Sequence, residues 1–469
     1  MAALPFAIAS ELPIVTHHVG AFNGKQVRYA ASIEATGIPD KSGKLSARLV
    51  SFAYTAEDVS DPRTRPVMFV FNGGPITASL WLHIGVMGPK RVAVPDDLNA
   101  DPSTYKLVDN SYSPLDVVDL VFVDPASTGY SRVLPGTAPE NFYSVAGDGQ
   151  QIAAFISAWL TGHKRRDSRC YILGESYGTI RAAEVAAQLA ELPEPVQLDG
   201  VVLMGQALNI IEYRQRPQNI ISFAASLPTL AAIGWYHNKV DRAGKTVDAF
   251  VEEAWSYAQT DYLTALFAGN AISVEERDRV ATRLEQFTGI PAAYYREHNL
   301  RITKEQYRIE LLKNRGLLLG RVDGRYVAPV TSKGNADDPA NVIQAPFERL
   351  FFAYVENELG AHLPDIYVVA VNVPLESWKW GGSGPFADWP YSQRLLKVMN
   401  ANPRFHVLIG NGYYDTETTV GAAEYLVRQA GWTPDRAAIS LYEGGHMAYT
   451  VASSAKKFTD DIRRFISRL

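Results

Sequence analysis

At 469 residues the chain is longer than one compact core usually grows, so one large domain with a substantial insertion, or two domains, is expected. Hydrophobic residues make up 47%, charged residues 20%, and the formal net charge is -5, which supplies no basic surface for nucleic acid or an anionic membrane. The single cysteine, Cys170, excludes an intrachain disulfide and leaves stability to packing, and no apolar run is long enough to cross a bilayer.

Met1 to Ser10 is mildly apolar but has no basic n-region, and it reads as no signal peptide. A cytoplasmic protein is therefore expected, or a periplasmic or secreted one if a signal has been removed. Short β-rich runs at Val67–Phe71, Val117–Val123, Tyr171–Leu173 and Val201–Met204 predict buried strands of a mostly parallel sheet. Gly149–Leu160 and Thr179–Leu192 predict helices between them, so the order alternates strand and helix and the class is α/β. Cys170, at the start of the third run, reads as a small buried residue and not as a reactive thiol.

From about Asn209 to Tyr367 the pattern changes to longer, charged, aromatic-rich helical stretches such as Ser273–Glu285. This predicts an inserted, mostly helical cap at 209–370 between core segments 1–208 and 371–469. Such a cap either walls a pocket or only packs as a second domain, and the sequence leaves both open. The α/β pattern resumes with a strand at Phe405–Ile409, a helix at Val420–Gln429 ended by Gly431, and a strand at Ala438–Tyr442. A closing amphipathic helix places Phe458, Ile462, Phe465, Ile466 and Leu469 on one face.

Gly174-Glu-Ser-Tyr-Gly178 lies between the third strand and its helix, the setting of a nucleophile elbow in an α/β hydrolase. There the serine sits in a sharp turn, and a Cβ at either flanking glycine would strike neighbouring backbone. Ser176 is the candidate nucleophile. A serine hydroxyl needs a base, and the base needs an acid to orient it. Asp415 follows the strand Phe405–Ile409 through Gly410 to Tyr414, and His446 lies in a glycine-rich loop after the last strand, which gives the chain order Ser, Asp, His of this fold.

Nine histidines compete for the base. His17, His18 and His163 read as surface groups, His406 as a core histidine, His237, His298 and His362 as part of the cap, and His83 as nearer the chemistry but ahead of the nucleophile in sequence. Asp365 and Asp435 rival Asp415 but read as turn or helix-start residues. Asn72-Gly-Gly-Pro75 directly follows the first strand, where glycines let N–H groups turn toward an anion. The expected oxyanion donors are the N–H groups of Gly74 and Tyr177.

Asn72-Gly-Gly-Pro75, Asp124-Pro-Ala-Ser-Thr-Gly-Tyr-Ser131, Gly174-Glu-Ser-Tyr-Gly178, Gly412-Tyr-Tyr-Asp415 and Gly445-His446 occur in the order of the signature blocks of the serine carboxypeptidases. The chain resembles that family, and in particular its bacterial members, over about residues 66–450. The resemblance implies Ser176, Asp415 and His446 as the triad and Gly74 and Tyr177 as the oxyanion hole, with Asn72 and Glu175 binding the substrate's terminal carboxylate. Two carboxyl groups meet only by sharing a proton, so Glu175 is expected to be protonated when substrate binds. Three departures stand out: Ile76-Thr77 replace the small residues usual after the Gly-Gly-Pro, Val86-Met87 stand where eukaryotic members carry a further acid, and Ser127 replaces a usual glycine.

The expected function is that of a serine-type carboxypeptidase acting on peptides or peptide-like amides through an acyl-enzyme. An esterase, small-molecule amidase or acyltransferase is the alternative within acyl chemistry, and a non-catalytic binding protein on the same fold is the alternative outside it. No cofactor and no metal is called for, and the expected partner is a peptide or peptide-like small molecule, with neither nucleic acid nor membrane.

Overall fold

The computed structural model describes residues 12–330, 338–381 and 387–468. The N-terminal stretch read for a signal peptide and Leu469 of the closing helix lie outside them. A ten-stranded sheet organises the molecule. Its main strands are β1 (Ile14–Phe22), β2 (Lys25–Pro39), β3 (Leu45–Ala56), β4 (Val67–Phe71), β5 (Asp119–Val123), β6 (Cys170–Glu175), β7 (Gly200–Met204), β8 (His406–Gly412) and β9 (Ala437–Tyr442), with the two-residue strand Arg132–Val133 beside β3.

The order across the sheet is β1-β2-β3-β5-β4-β6-β7-β8-β9. From β5 to β9 every neighbouring pair is parallel, and β1, β2 and β3 form an antiparallel edge. Every residue of β4, β5, β6 and β7 is buried, as expected where helices cover both faces. The side-chain period of two divides their apolar residues between two cores. Met68, Val70, Leu120, Phe122 and Leu173 face one, and Val67, Phe69, Val121, Val123 and Ile172 face the other.

Helices α1 (Val145–Gly162) and α2 (Tyr177–Ala190) cover the second face, with Phe155 and Trp159 of α1 edge-on to Phe69 at 6.2 and 5.5 Å. Ser144 caps α1 by accepting from Gly147 N at 2.9 Å. Helices α3 (Leu227–Tyr236), α4 (Val247–Tyr257) and α5 (Val274–Thr288) form a third apolar cluster, and α6 (Gln344–Asn357) joins the first sheet core through Phe347, Leu350 and Phe351. The span 209–370 thus contains two packing groups. Helices α7 (Tyr391–Ala401), α8 (Val420–Gln429) and α9 (Ala452–Ser467) follow, and α9 buries Phe458, Ile462, Phe465 and Ile466 in the first core. No helix among the described residues is long and apolar enough to cross a membrane.

Candidate active site

β6 delivers Glu175 and α2 begins at Tyr177, leaving Ser176 to make the whole turn with φ 58° and ψ -128°. A non-glycine residue held there stores roughly 1–3 kcal/mol of strain and persists only when its surroundings fix it. Here Ser176 N donates to Met204 O at 2.9 Å, and a Cβ built on Gly174 would lie 2.2 Å from Gly178 O. The turn is therefore as tight as the flanking glycines require.

The loop after β4 lies against this turn. A Cβ on Gly73 would come within 2.6 Å of Tyr177 N, so the backbone of Asn72–Gly74 approaches the start of α2, where N–H groups have no partner within the helix. Arg181 fixes that approach: it is fully buried, donates to Asn72 O at 2.6 Å and to Asp148 Oδ2 at 2.7 Å, and Asp148 also accepts from Tyr177 Oη at 2.9 Å. Ile76 has φ 58° and Ser127 φ 77°, so two of the sequence departures occupy the left-handed region that glycine adopts without strain.

The candidate acid and the candidate base meet across distant loops. His446 Nδ1 and Asp415 Oδ2 are 2.7 Å apart, and Asp415 also accepts from Glu417 N at 2.8 Å, Thr418 N at 3.0 Å and Thr418 Oγ1 at 2.5 Å. Burial opposes charge on His446, but the charge and hydrogen bond of Asp415, with the charge of Glu175 behind them, raise it to about 9. The end of β7 links this pair to the elbow. Met204 O holds Ser176 N, and a Cβ on Gly205 would lie 3.0 Å from His446 Cε1.

A cleft of about 490 Å³ opens over these groups, lined by Asn72, Gly74, Glu175, Ser176 and His446, with Trp81, Met447, Val322 and residues 340–348 around them. Asn72 Nδ2 donates to Glu175 Oε2, and Asn72 Oδ1 accepts from Leu82 N at 3.1 Å, which fixes the amide's orientation. Burial raises Glu175 to about 7, against the opposing charge of His446 and the hydrogen bond from Tyr449.

Residues 44–237 match the model of the serine carboxypeptidase family. Over that span the chain resembles the serine carboxypeptidases. Its fold is similar to that of Kex1Δp, a prohormone-processing carboxypeptidase from Saccharomyces cerevisiae, at 15% identity over 93% of this chain and 92% of that one, with a TM-score of 0.55. A proline iminopeptidase from Mycobacterium smegmatis also matches, at 16% identity over 93% and 98% of the two chains, with a TM-score of 0.38. The sheet and helices are those of an α/β hydrolase.

Two groups at the site escape sequence reasoning. Tyr449 Oη donates to Glu175 Oε2 at 3.1 Å from a short turn just past His446. The segment Arg321–Arg325 forms a wedge against the loops of Asp415 and His446 and is bonded to both: Val322 O accepts from His446 N at 2.7 Å, Asp323 Oδ2 from Gly445 N at 3.0 Å, and Gly324 N donates to Tyr414 O at 2.9 Å. Arg325 grips Asp323 through both carboxylate oxygens. Neither has a spacing motif, because a tyrosine and an Asp-Gly-Arg turn recur anywhere.

Among the described residues no other histidine is hydrogen-bonded to Ser176, Asp415 or Glu175, and His237 reaches only Gly324 O, at 2.8 Å. His83, expected nearer the chemistry, is fully buried, bonded to Tyr54 Oη at 2.6 Å and stacked 4.1 Å from Phe122; burial lowers it to about 3. His406, read as a core residue, stands half-exposed at the start of β8 with Nδ1 on Arg404 O at 2.7 Å, because the strand begins at the sheet's rim.

Proposed function

We propose that the protein is a serine-type carboxypeptidase that removes C-terminal residues from peptides or peptide-like amides. Ser176 Oγ attacks the scissile carbonyl carbon and gives its proton to His446. The C–N bond then breaks, the proton passes to the leaving amine, and an acyl ester remains on Ser176. Water attacks that ester, its proton goes to His446 and on to Ser176 Oγ, and the acid departs. Asp415 holds the imidazole and stabilises its cation, and the N–H groups of Gly74 and Tyr177 receive the developing oxyanion. The insertion serves as a cap, with Val322, Ala340, Ile343 and Glu348 among the residues that wall the cleft.

The observation that carries this reading is the buried Glu175 beside Ser176, raised to about 7 and hydrogen-bonded by Asn72. A carboxyl group that keeps its proton near neutrality can accept a peptide's terminal carboxylate as partner. An ionised one repels it. A blocked dipeptide and its C-terminal amide, compared by kcat/KM across pH, test this. His446 serves both substrates, so its titration cancels in the ratio. The acid should be preferred below about pH 7, with the preference falling as pH rises through that value, and Glu175→Gln should flatten the ratio. Equal rates for acid and amide at every pH would favour the esterase or amidase reading, which the apolar, fully buried Val86 and Met87 support.

A further inference from the structure

The two oxygens of Glu175 have different surroundings. Oε2 accepts from Asn72 Nδ2 and from Tyr449 Oη at 3.1 Å, whereas Oε1 is buried and has no protein partner among the described residues. Glu175 lines the cleft beside Ser176, so the unpartnered oxygen belongs to a residue of the cleft wall. With two donors on one oxygen, the proton of the neutral acid is confined to the other.

Tyr449 is built into place. It is 2% exposed, sits in the turn Ala448–Thr450 three residues after His446, and its ring packs so close to Gly85 that a Cβ there would lie 2.5 Å from Tyr449 Cε2. Burial, with the charge of Glu175 added, holds its phenol well above the usual range, so it stays a donor at every pH the enzyme meets. The charged groups acting on Glu175 are His446, which favours its ionised form, and Asp415, which opposes it. No other carboxyl group is hydrogen-bonded to Glu175 among the described residues.

We propose that Tyr449 is a positioning residue for carboxylate recognition, holding Glu175 Oε2 so that Oε1 presents the shared proton to the substrate's terminal carboxylate. This rests on the reading of Glu175 as the carboxylate-binding acid. The phenol also sets how far toward alkaline pH that recognition extends. A hydrogen bond donated to an oxygen that becomes charged favours the ionised form, so the phenol draws the titration of Glu175 downward. Its loss therefore extends recognition to higher pH while loosening the geometry.

The test uses the ratio of kcat/KM for a blocked dipeptide over its C-terminal amide. Tyr449→Phe should move the midpoint of its fall to higher pH and lower the preference at the acidic plateau roughly three- to ten-fold, the loss of one hydrogen bond to the neutral, protonated carboxyl group. Tyr449→3-fluorotyrosine, a stronger donor of nearly unchanged shape, should move the midpoint the opposite way, and it keeps the question open to experiment if the phenylalanine variant does not fold. Glu175→Gln is the control for the underlying reading: if the pH-dependent ratio survives in it, Glu175 is not the acid responsible. If Glu175→Gln flattens the ratio while a folded tyrosine variant leaves the midpoint in place, the role of Tyr449 alone is overturned.

Discussion

The turn at Ser176 and the loops of Asp415 and His446 achieve their geometry in opposite ways. Around Ser176 the constraint is contiguous: Gly174, Ser176 and Gly178 lie within five residues, and the turn is tight because a Cβ on Gly174 would meet Gly178 O at 2.2 Å. Asp415 and His446 come from separate loops, and the segment Val322–Gly324 is bonded to both. A motif can encode the first arrangement, whereas the second depends on a wedge nearly a hundred residues before the acid. Local geometry should therefore survive damage that disperses the distant pair.

The sharpest break in this comparison is Ser176→Ala, which removes chemistry without touching either scaffold. Turnover should fall by about 10⁴- to 10⁶-fold. Labelling by a fluorophosphonate should vanish, and circular dichroism should stay unchanged. Labelling that persists would place the nucleophile elsewhere.

Next in size is Asp323→Ala, which leaves the guanidinium of Arg325 buried without its carboxylate and frees Gly445 N. Losing one partner of a buried pair costs about 3–5 kcal/mol. Denaturant unfolding should register that loss, and single-turnover acylation should slow beyond any fall in folded fraction, because His446 loses its support. An acylation rate equal to wild type in the folded protein would mean that the base loop stands without the wedge.

The smallest effect is expected at Ile76→Gly, beside the elbow. Relief of the φ 58° backbone is worth about 1–3 kcal/mol, while the lost burial of a side chain that is 3% exposed costs about 2–3 kcal/mol and the freer unfolded chain about 0.5–1 kcal/mol. These terms nearly cancel, leaving a modest net destabilisation. A large loss would show that the isoleucine shapes the neighbouring Asn72–Pro75 loop.

Much of this site was legible because β4, β6 and β8 run parallel and end at the same edge of the sheet. Residues just past those strands, Asn72, Ser176 and Asp415, gather there wherever the strands pair. The antiparallel edge from Ile14 to Ala56 was not legible. β1 alternates half-buried and exposed residues, so it offers no continuous apolar run to mark it as part of a large sheet. His406 was misplaced for a related reason, since an apolar run tells little about which end of a strand reaches the rim.

By itself the sequence determined the buried strands, their alternation with helices and the residue types at each strand end, because periodicity and glycine spacing are local properties of a chain. Only the tertiary structure decided that α6 joins the sheet core, that Arg321–Arg325 is bonded to the loops of both Asp415 and His446, and that Tyr449 reaches Glu175. Those contacts depend on packing between segments far apart in the chain, and no local pattern of residues specifies which distant hydrogen-bond partners meet.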